Sequence, residues 1–401
     1  MSWDKVKLAD CCLSISDGDH QPPPKAVSGV PFVTIANINK SNQFDFSDTM
    51  FVPKDYYDRL DSKRKAQVGD ILYSVVGSFG IPVLIKEERP FVFQRHIAIL
   101  RPNERINSAF LYYTMLSRDF YAKADAAAIG AAQRTVSLTS LRGMEIELPP
   151  LKVQEAIASK LSVYDNLIEN NQKQIKLLEE AAQRLYKEWF VDLRFPGYED
   201  TPIVDGVPEG WSLSPISDFG EVVTGKTPST EKKEYYGGNI PFVKIPDMHG
   251  CVYPVITESS LTETGAKTQI NKFIPRNGIM VSCIATVGLV NIAVERCQTN
   301  QQINSIILSD ERDLYYVFSA MKRLKELLEG VGSNGATMTN VNKTKFASLP
   351  VLYPSEELRD SYYSFCKPIF EKIYNLSLSV VGLKKARDRL LPKLMSGEIE
   401  V

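Results

Sequence analysis

The apolar positions of this chain change their period at two points, and the change divides it. In the first 150 residues short runs rich in β-branched and aromatic side chains alternate with turn residues. Pro31-Phe32-Val33-Thr34-Ile35, Ile71-Leu72-Tyr73-Ser74-Val75-Val76 and Ile97-Ala98-Ile99-Leu100, bounded by Gly, Pro or Asn, predict strands. Ala109 to Leu116 followed by Phe120 predicts an amphipathic helix. After Leu148-Pro149-Pro150-Leu151 the period becomes that of a heptad. Ile157, Leu161, Tyr164, Ile168, Asn171, Ile175, Leu178, Ala182, Leu185 and Trp189 are spaced alternately by four and three, without Gly or Pro. Such a helix spans roughly 50 Å and needs a partner for its apolar stripe. Leu358, Tyr362, Phe365, Ile369, Lys372, Leu376, Ser379, Leu383, Ala386 and Leu390 repeat the spacing and supply one. Pro368 and Gly382 lie inside this second pattern, which predicts a kinked or split helix opposite a straight one. Asn171 interrupts the first stripe either as a register-setting polar layer or as a residue at a solvated edge.

The pattern is also duplicated. Trp3 is echoed by Trp211, and Val30-Pro31-Phe32-Val33-Thr34-Ile35 by Ile240-Pro241-Phe242-Val243-Lys244-Ile245. Asp70-Ile71-Leu72-Tyr73-Ser74 with Gly80 returns as Gly278-Ile279-Met280-Val281-Ser282 with Gly288. Solenoid repeats run to about 20–50 residues, so this much longer repeat predicts tandem domains instead. The expected organisation is a domain at 1–150, a helix at 151–195, a second domain at 196–352 and a second helix at 353–401. Phe195-Pro196-Gly197-Tyr198 and Val204 to Gly210 are turn chemistry between the halves. The fold class is α+β, with two similar mixed α/β domains whose strand order the sequence leaves open.

Composition adds limits rather than a function. Of 401 residues 44% are hydrophobic and 24% charged, as in an ordinary folded protein. No apolar run of about 18 residues is present, which speaks against a membrane span. The opening Met1-Ser2-Trp3-Asp4-Lys5 has no apolar signal core, so a cytoplasmic location is expected. Six cysteines show no zinc spacing and read as reduced thiols. The net charge of −1 counts mildly against a free-standing nucleic-acid binder, although a balanced total can hide a basic stripe.

Gly220-Glu221-Val222-Val223-Thr224-Gly225-Lys226-Thr227 satisfies the phosphate-loop pattern and opens the alternative of a nucleotide hydrolase. Pro228 argues against it, because the residue before proline is biased away from helical dihedrals and a phosphate loop must run into a helix. The three histidines (His20, His96, His249) form no ligand pair, and no nucleophile elbow is present, so catalysis by this chain alone is not expected. Two loop pairs are candidate readers of DNA. Gly130-Ala131-Ala132-Gln133-Arg134-Thr135 corresponds to Gly330 to Thr337, including Asn334 and Thr337. Phe93-Gln94-Arg95-His96 corresponds to Thr299-Asn300-Gln301-Gln302. Amide and guanidinium groups suit base edges and phosphates. With Thr224, Lys226 and Thr227 of the polar loop, the candidate DNA-binding residues are Gln94, Arg95, Gln133, Arg134, Gln301, Asn334 and Thr337. Each loop can equally be a solvated turn.

At these residues the chain resembles the specificity subunits of type I restriction–modification enzymes, over essentially its whole length. Val207-Pro208-Glu209-Gly210-Trp211 followed by Thr224-Gly225-Lys226-Thr227-Pro228-Ser229 is similar to that family's domain opening. Leu178-Glu179-Glu180-Ala181-Ala182-Gln183-Arg184-Leu185-Tyr186-Lys187-Glu188-Trp189-Phe190 resembles the end of its central helix. Arg387-Asp388-Arg389-Leu390-Leu391-Pro392-Lys393-Leu394-Met395-Ser396-Gly397-Glu398-Ile399 resembles its C-terminal signature. The resemblance implies two target recognition domains reading the halves of a split double-stranded DNA target. It further implies an antiparallel helix pair holding the domains apart, and no cofactor on this chain. Two methylation subunits would carry S-adenosylmethionine, and restriction subunits would bring ATP-driven translocation and cleavage. A coiled-coil adaptor without DNA contact is the remaining alternative.

Overall fold

The computed structural model describes residues 3–18, 20, 22–39, 41–131, 133–330 and 340–401. It divides into two compact units, residues 1–169 with 383–401 and residues 170–382. The cuts pass through both long helices, so each unit is a globular domain together with a stretch of both helices.

In the first unit the order is β1 (Asp4–Lys7), β2 (Cys12–Asp17), β3 (Val30–Val33), β4 (Met50–Val52), α1 (Lys54–Arg59), β5 (Ile71–Ser74), β6 (Pro82–Leu84), β7 (Val92–Phe93) and β8 (Ile97–Pro102). Then follow α2 (Ser108–Leu116), α3 (Arg118–Ala127), α4 (Leu138–Gly143), β9 (Glu145–Leu148) and α5 (Leu151–Phe190). The strands form two sheets, an antiparallel β2-β8-β5-β6 and a mixed β4-β3-β7, with a separate β1-β9 ribbon. The stretch expected as one amphipathic helix is two. Asn107 caps α2 by accepting from the Phe110 N–H, and Ser117 starts α3 by accepting from the Phe120 N–H. Nor is α2 amphipathic. Phe110 to Met115 are all buried, as befits a helix covered on every side.

The second unit repeats this plan after a short hairpin, β10 (Ile203–Val204) and β11 (Val207–Pro208). Its elements are β12 (Ser212–Pro215), β13 (Gly220–Thr224), β14 (Tyr236–Val243), α6 (Ile245–Met248), β15 (Ser259–Leu261), α7 (Glu263–Lys267), β16 (Ile279–Ser282), β17 (Val290–Ile292) and β18 (Gln298–Thr299). They continue through β19 (Ile303–Leu308), α8 (Leu314–Lys322), α9 (Leu324–Gly330), α10 (Lys343–Ala347), β20 (Pro350–Tyr353) and α11 (Glu356–Met395). The sheets are β13-β19-β16-β17 and β15-β14-β18, with a β12-β20 ribbon. Strand for strand, this is the topology of the first unit.

Within each unit the stretches of α5 and α11 run antiparallel. In the first, Ile157 and Leu161 share a core with Leu391 and Leu394, and the buried Asp165 accepts from Tyr113 Oη (2.7 Å) and Arg387 Nη1 (2.6 Å). In the second, the Trp189 ring lies 5.8 Å from Tyr362 and 5.7 Å from Phe365. There Asn171 Nδ2 donates to Ser379 Oγ at 3.0 Å, so the interruption of the stripe is a polar link between the helices.

Two expectations about the second helix need correction. It is neither split nor ended at Pro368, since α11 is helical for 40 residues. Pro368 and Ser364, whose carbonyl it leaves without an intrahelical donor, are both exposed, so water can satisfy that oxygen. The buried stripe also differs from the strict heptad. It follows Leu358, Tyr362, Cys366, Phe370, Ile373, Leu376 and Val380, while Phe365 is 59% exposed and Ile369, Leu383 and Leu390 are half-buried. The start of α11 packs on its own domain's core as well as on α5, which rotates and widens the buried face. On α5, Ile157, Leu161 and Ile168 are buried, and Tyr164, Asn171, Ile175, Leu178 and Leu185 are half-buried.

Candidate nucleic-acid interface

The site begins with two glycines that the strand ends bring to equivalent places. Gly18 follows β2 and its N–H donates to the Ile97 carbonyl at 3.2 Å, and Gly225 follows β13 and donates to that of Ile303 at 3.1 Å. A Cβ on Gly18 would lie 2.2 Å from the Phe93 carbonyl oxygen, and one on Gly225 2.2 Å from that of Asn300. Only glycine lets these two loops lie so close. The function of Gly225 in the apparent phosphate loop is therefore this close approach. After Thr227 the chain does not enter a helix, and its next helical turn is the short Lys233–Tyr235. The geometry of a phosphate loop is absent.

Around each glycine the backbone hydrogen bonds are duplicated. Gln94 N–H donates to Val33 (3.1 Å) and Asn300 N–H to Val243 (3.2 Å). Val75 N–H donates to His96 (2.9 Å) and Cys283 N–H to Gln302 (2.8 Å). Val136 N–H donates to Val75 (2.9 Å) and Val341 N–H to Cys283 (2.8 Å). Bridges join Val76 to Thr135 and Ile284 to Asn340. Ser74 and Ser282 each accept through Oγ from a backbone N–H seven residues on, at 2.9 and 2.8 Å. One rigid frame thus gathers three loops in each unit.

The side chains on that frame differ. In the first unit Asp17, His20, Arg95, His96, Gln133 and Thr135 line a groove of about 360 Å³. Arg95 and Gln133 are exposed, whereas Gln94 is half-buried with its backbone committed to the frame. Burial, then the neighbouring Arg95 charge, holds the His96 pKa below the ordinary imidazole value, which favours a neutral ring. Arg134 pairs with Asp125 and lies 5.4 Å from the centre of the Phe79 ring, which stacks on Tyr121. Its guanidinium is aimed by these partners rather than free.

In the second unit Lys226 and Gln301 are exposed. The Lys226 backbone is braced at both ends, its N–H donating to Thr299 (2.9 Å) and its carbonyl accepting from Gln269 Nε2 (2.7 Å). Thr227 Oγ1 donates to Gln301 Oε1 at 2.7 Å, leaving the Gln301 amide hydrogens directed elsewhere. Thr224 Oγ1 donates to Asn304 Oδ1 (2.6 Å), so its hydroxyl belongs to the frame. Asn334 and Thr337 lie outside the described residues.

The structure thus brings Arg95 and Gln133 together in one unit, and Lys226, Thr227 and Gln301 together in the other. Sequence reasoning passed over Asp17 and His20. The signal was in the repeat: Gly18-Asp19-His20-Gln21-Pro22 stands where Gly225-Lys226-Thr227-Pro228 recurs, but only the second copy carries the lysine that draws attention.

Comparison with known proteins agrees with this architecture. Residues 2–180 and 208–362 match the model of the type I restriction modification DNA specificity domain. The HindI specificity subunit of Haemophilus influenzae is 29% identical over an alignment covering 99% of both chains. The MjaIX specificity subunit of Methanocaldococcus jannaschii is 26% identical over 83% of this chain and 78% of its own. The crystal structure of a type I S subunit from M. genitalium, 14% identical, superposes with a TM-score of 0.57 over 98% of this chain and 96% of that one, a likeness of fold. No helix among the described residues is long and apolar enough to cross a membrane. The chain therefore belongs to the type I restriction–modification specificity subunits, the non-catalytic subunits through which such systems recognise their DNA target.

Proposed function

We propose that this subunit reads a bipartite, asymmetric duplex target, one half with the loop frame of each unit. One observation carries the reading. A backbone frame whose described core hydrogen bonds recur in both units presents His20, Arg95 and Gln133 in one, and Lys226, Thr227 and Gln301 in the other. A frame kept while its side chains diverge suits two readers of different sequences. Arg134 and, in the second unit, Asn334 and Thr337 complete the proposed contact set.

The paired helices are the proposed scaffold for two methylation subunits, which bind S-adenosylmethionine, and for restriction subunits, which bring ATP. Exposed apolar residues on the helices, Val163, Leu167 and Leu177 of α5 and Leu378 of α11, support docking there. The test is a methylome of cells carrying the intact system, compared with one in which residues 196–352 are exchanged for another family member's second domain. One half of the methylated motif is expected to change and the other to persist. A change in both halves would refute the modular reading. Affinity for duplex DNA insensitive to salt, measured with the methylation subunit present, would favour an adaptor that does not touch DNA.

A further inference from the structure

We propose that His20 is a specificity-determining residue of the first unit, contacting a base edge rather than a phosphate, with Asp17 as its positioning residue. The inference rests on the two-reader reading above and names one side chain that carries it.

His20 stands two residues beyond the close-packed Gly18, on the loop equivalent to Lys226 and Thr227, and its side chain is 55% exposed. It lines the same groove as Arg95 and Gln133, so groups from three loops converge. Its Nε2 lies 2.8 Å from Asp17 Oδ2, and Asp17 is only 19% exposed. That contact orients the ring, holding Nε2 against the carboxylate and leaving Nδ1 without that partner.

The same carboxylate argues against phosphate contact. A phosphate is best met by an unopposed cation, whereas Asp17 offsets positive charge on the imidazole and also lies 3.8 Å from Arg64. What the pair retains is direction, the property that base recognition uses and phosphate attraction does not. The second unit uses the equivalent place differently. Thr227 Oγ1 donates to Gln301 Oε1, so the exposed Gln301 keeps its amide hydrogens for another partner. The two units therefore offer different hydrogen-bonding patterns at one position of a common frame.

The experiment is selection of a randomised duplex library by the complex of this subunit with its methylation subunits, comparing wild type, His20→Ala and Asp17→Asn. His20→Ala is expected to abolish preference at one base position of one half, a relaxation of about ten- to a hundredfold. Asp17→Asn is expected to weaken preference at that same position. The motif of the other half is expected to be unchanged. An unaltered motif in His20→Ala overturns the proposal. So does an equal loss of affinity for every sequence, the signature of a phosphate contact, or relaxation in both halves. If the wild-type complex enriches one uninterrupted motif, the two-reader reading fails instead, and the His20 assignment is still decided by whether one base position relaxes.

Discussion

Gly18 and Gly225 show how much a single absent side chain decides. Each places a candidate reading loop against its neighbour at a distance that a methyl group would occupy. Gly225→Ala is expected to destabilise the protein by about 1–3 kcal/mol through overpacking against backbone, seen as a lower denaturation midpoint. Unchanged stability would show that the loop rests there loosely. A second residue-scale device is Arg312, which reaches Asp310, Glu356 and Asp360 and so ties the approach to α8 to the first turn of α11. The Arg312 side chain first, then its backbone N–H, holds the Asp310 carboxyl down to about 2. Because this pKa lies below the ordinary 3.8, the stabilisation is present above that pH and is lost as pH falls toward about 2. Arg312→Ala should therefore flatten the loss of stability between pH 4 and 2, measured by urea midpoints across that range. An unchanged slope would assign the acid sensitivity to other carboxylates.

At the scale of elements, α11 corrects a rule applied too locally. Proline inside a helical pattern predicts a break, yet the helix continues because Pro368 sits on an exposed face and its neighbours bury Tyr362, Cys366, Phe370 and Ile373 in the domain core. Tertiary packing outweighs the local penalty without removing it. Pro368→Ala is accordingly expected to raise stability by up to about 3 kcal/mol, read from chemical denaturation. No gain would mean that the proline costs nothing where it stands. The same packing explains why the heptad spacing located the helix and Leu358, Tyr362 and Leu376 of its buried stripe, but not Cys366, Phe370, Ile373 and Val380. A strict four–three rule assumes one partner, and the start of α11 has two.

For the whole molecule, the duplication is the organising fact. Two units with one topology and one loop frame, on a chain whose family recognises DNA, support a target read in two parts. Helices of 40 residues are, on this reading, the element that sets the spacer. Inserting matched heptads into α5 and α11 is expected to lengthen the gap between half-sites in the methylome while each half keeps its bases. A motif with an unaltered gap would remove the helices from that role.

The sequence by itself determined the repeat, the two long helices, the strand segments and the family, because these are written in periodicity and local motifs that need no knowledge of distant contacts. It also argued against the phosphate loop through Pro228, and the structure shows no helix directly after Thr227. Only the tertiary structure decided the strand order, the stripe that α11 buries, and the grouping of Arg95 with Gln133 and of Thr227 with Gln301. These depend on which segments, from about 40 to about 200 positions apart in the chain, are brought side by side. His20 illustrates the limit. Its place in the repeat was legible, but only its Asp17 partner and the shared groove give it a direction.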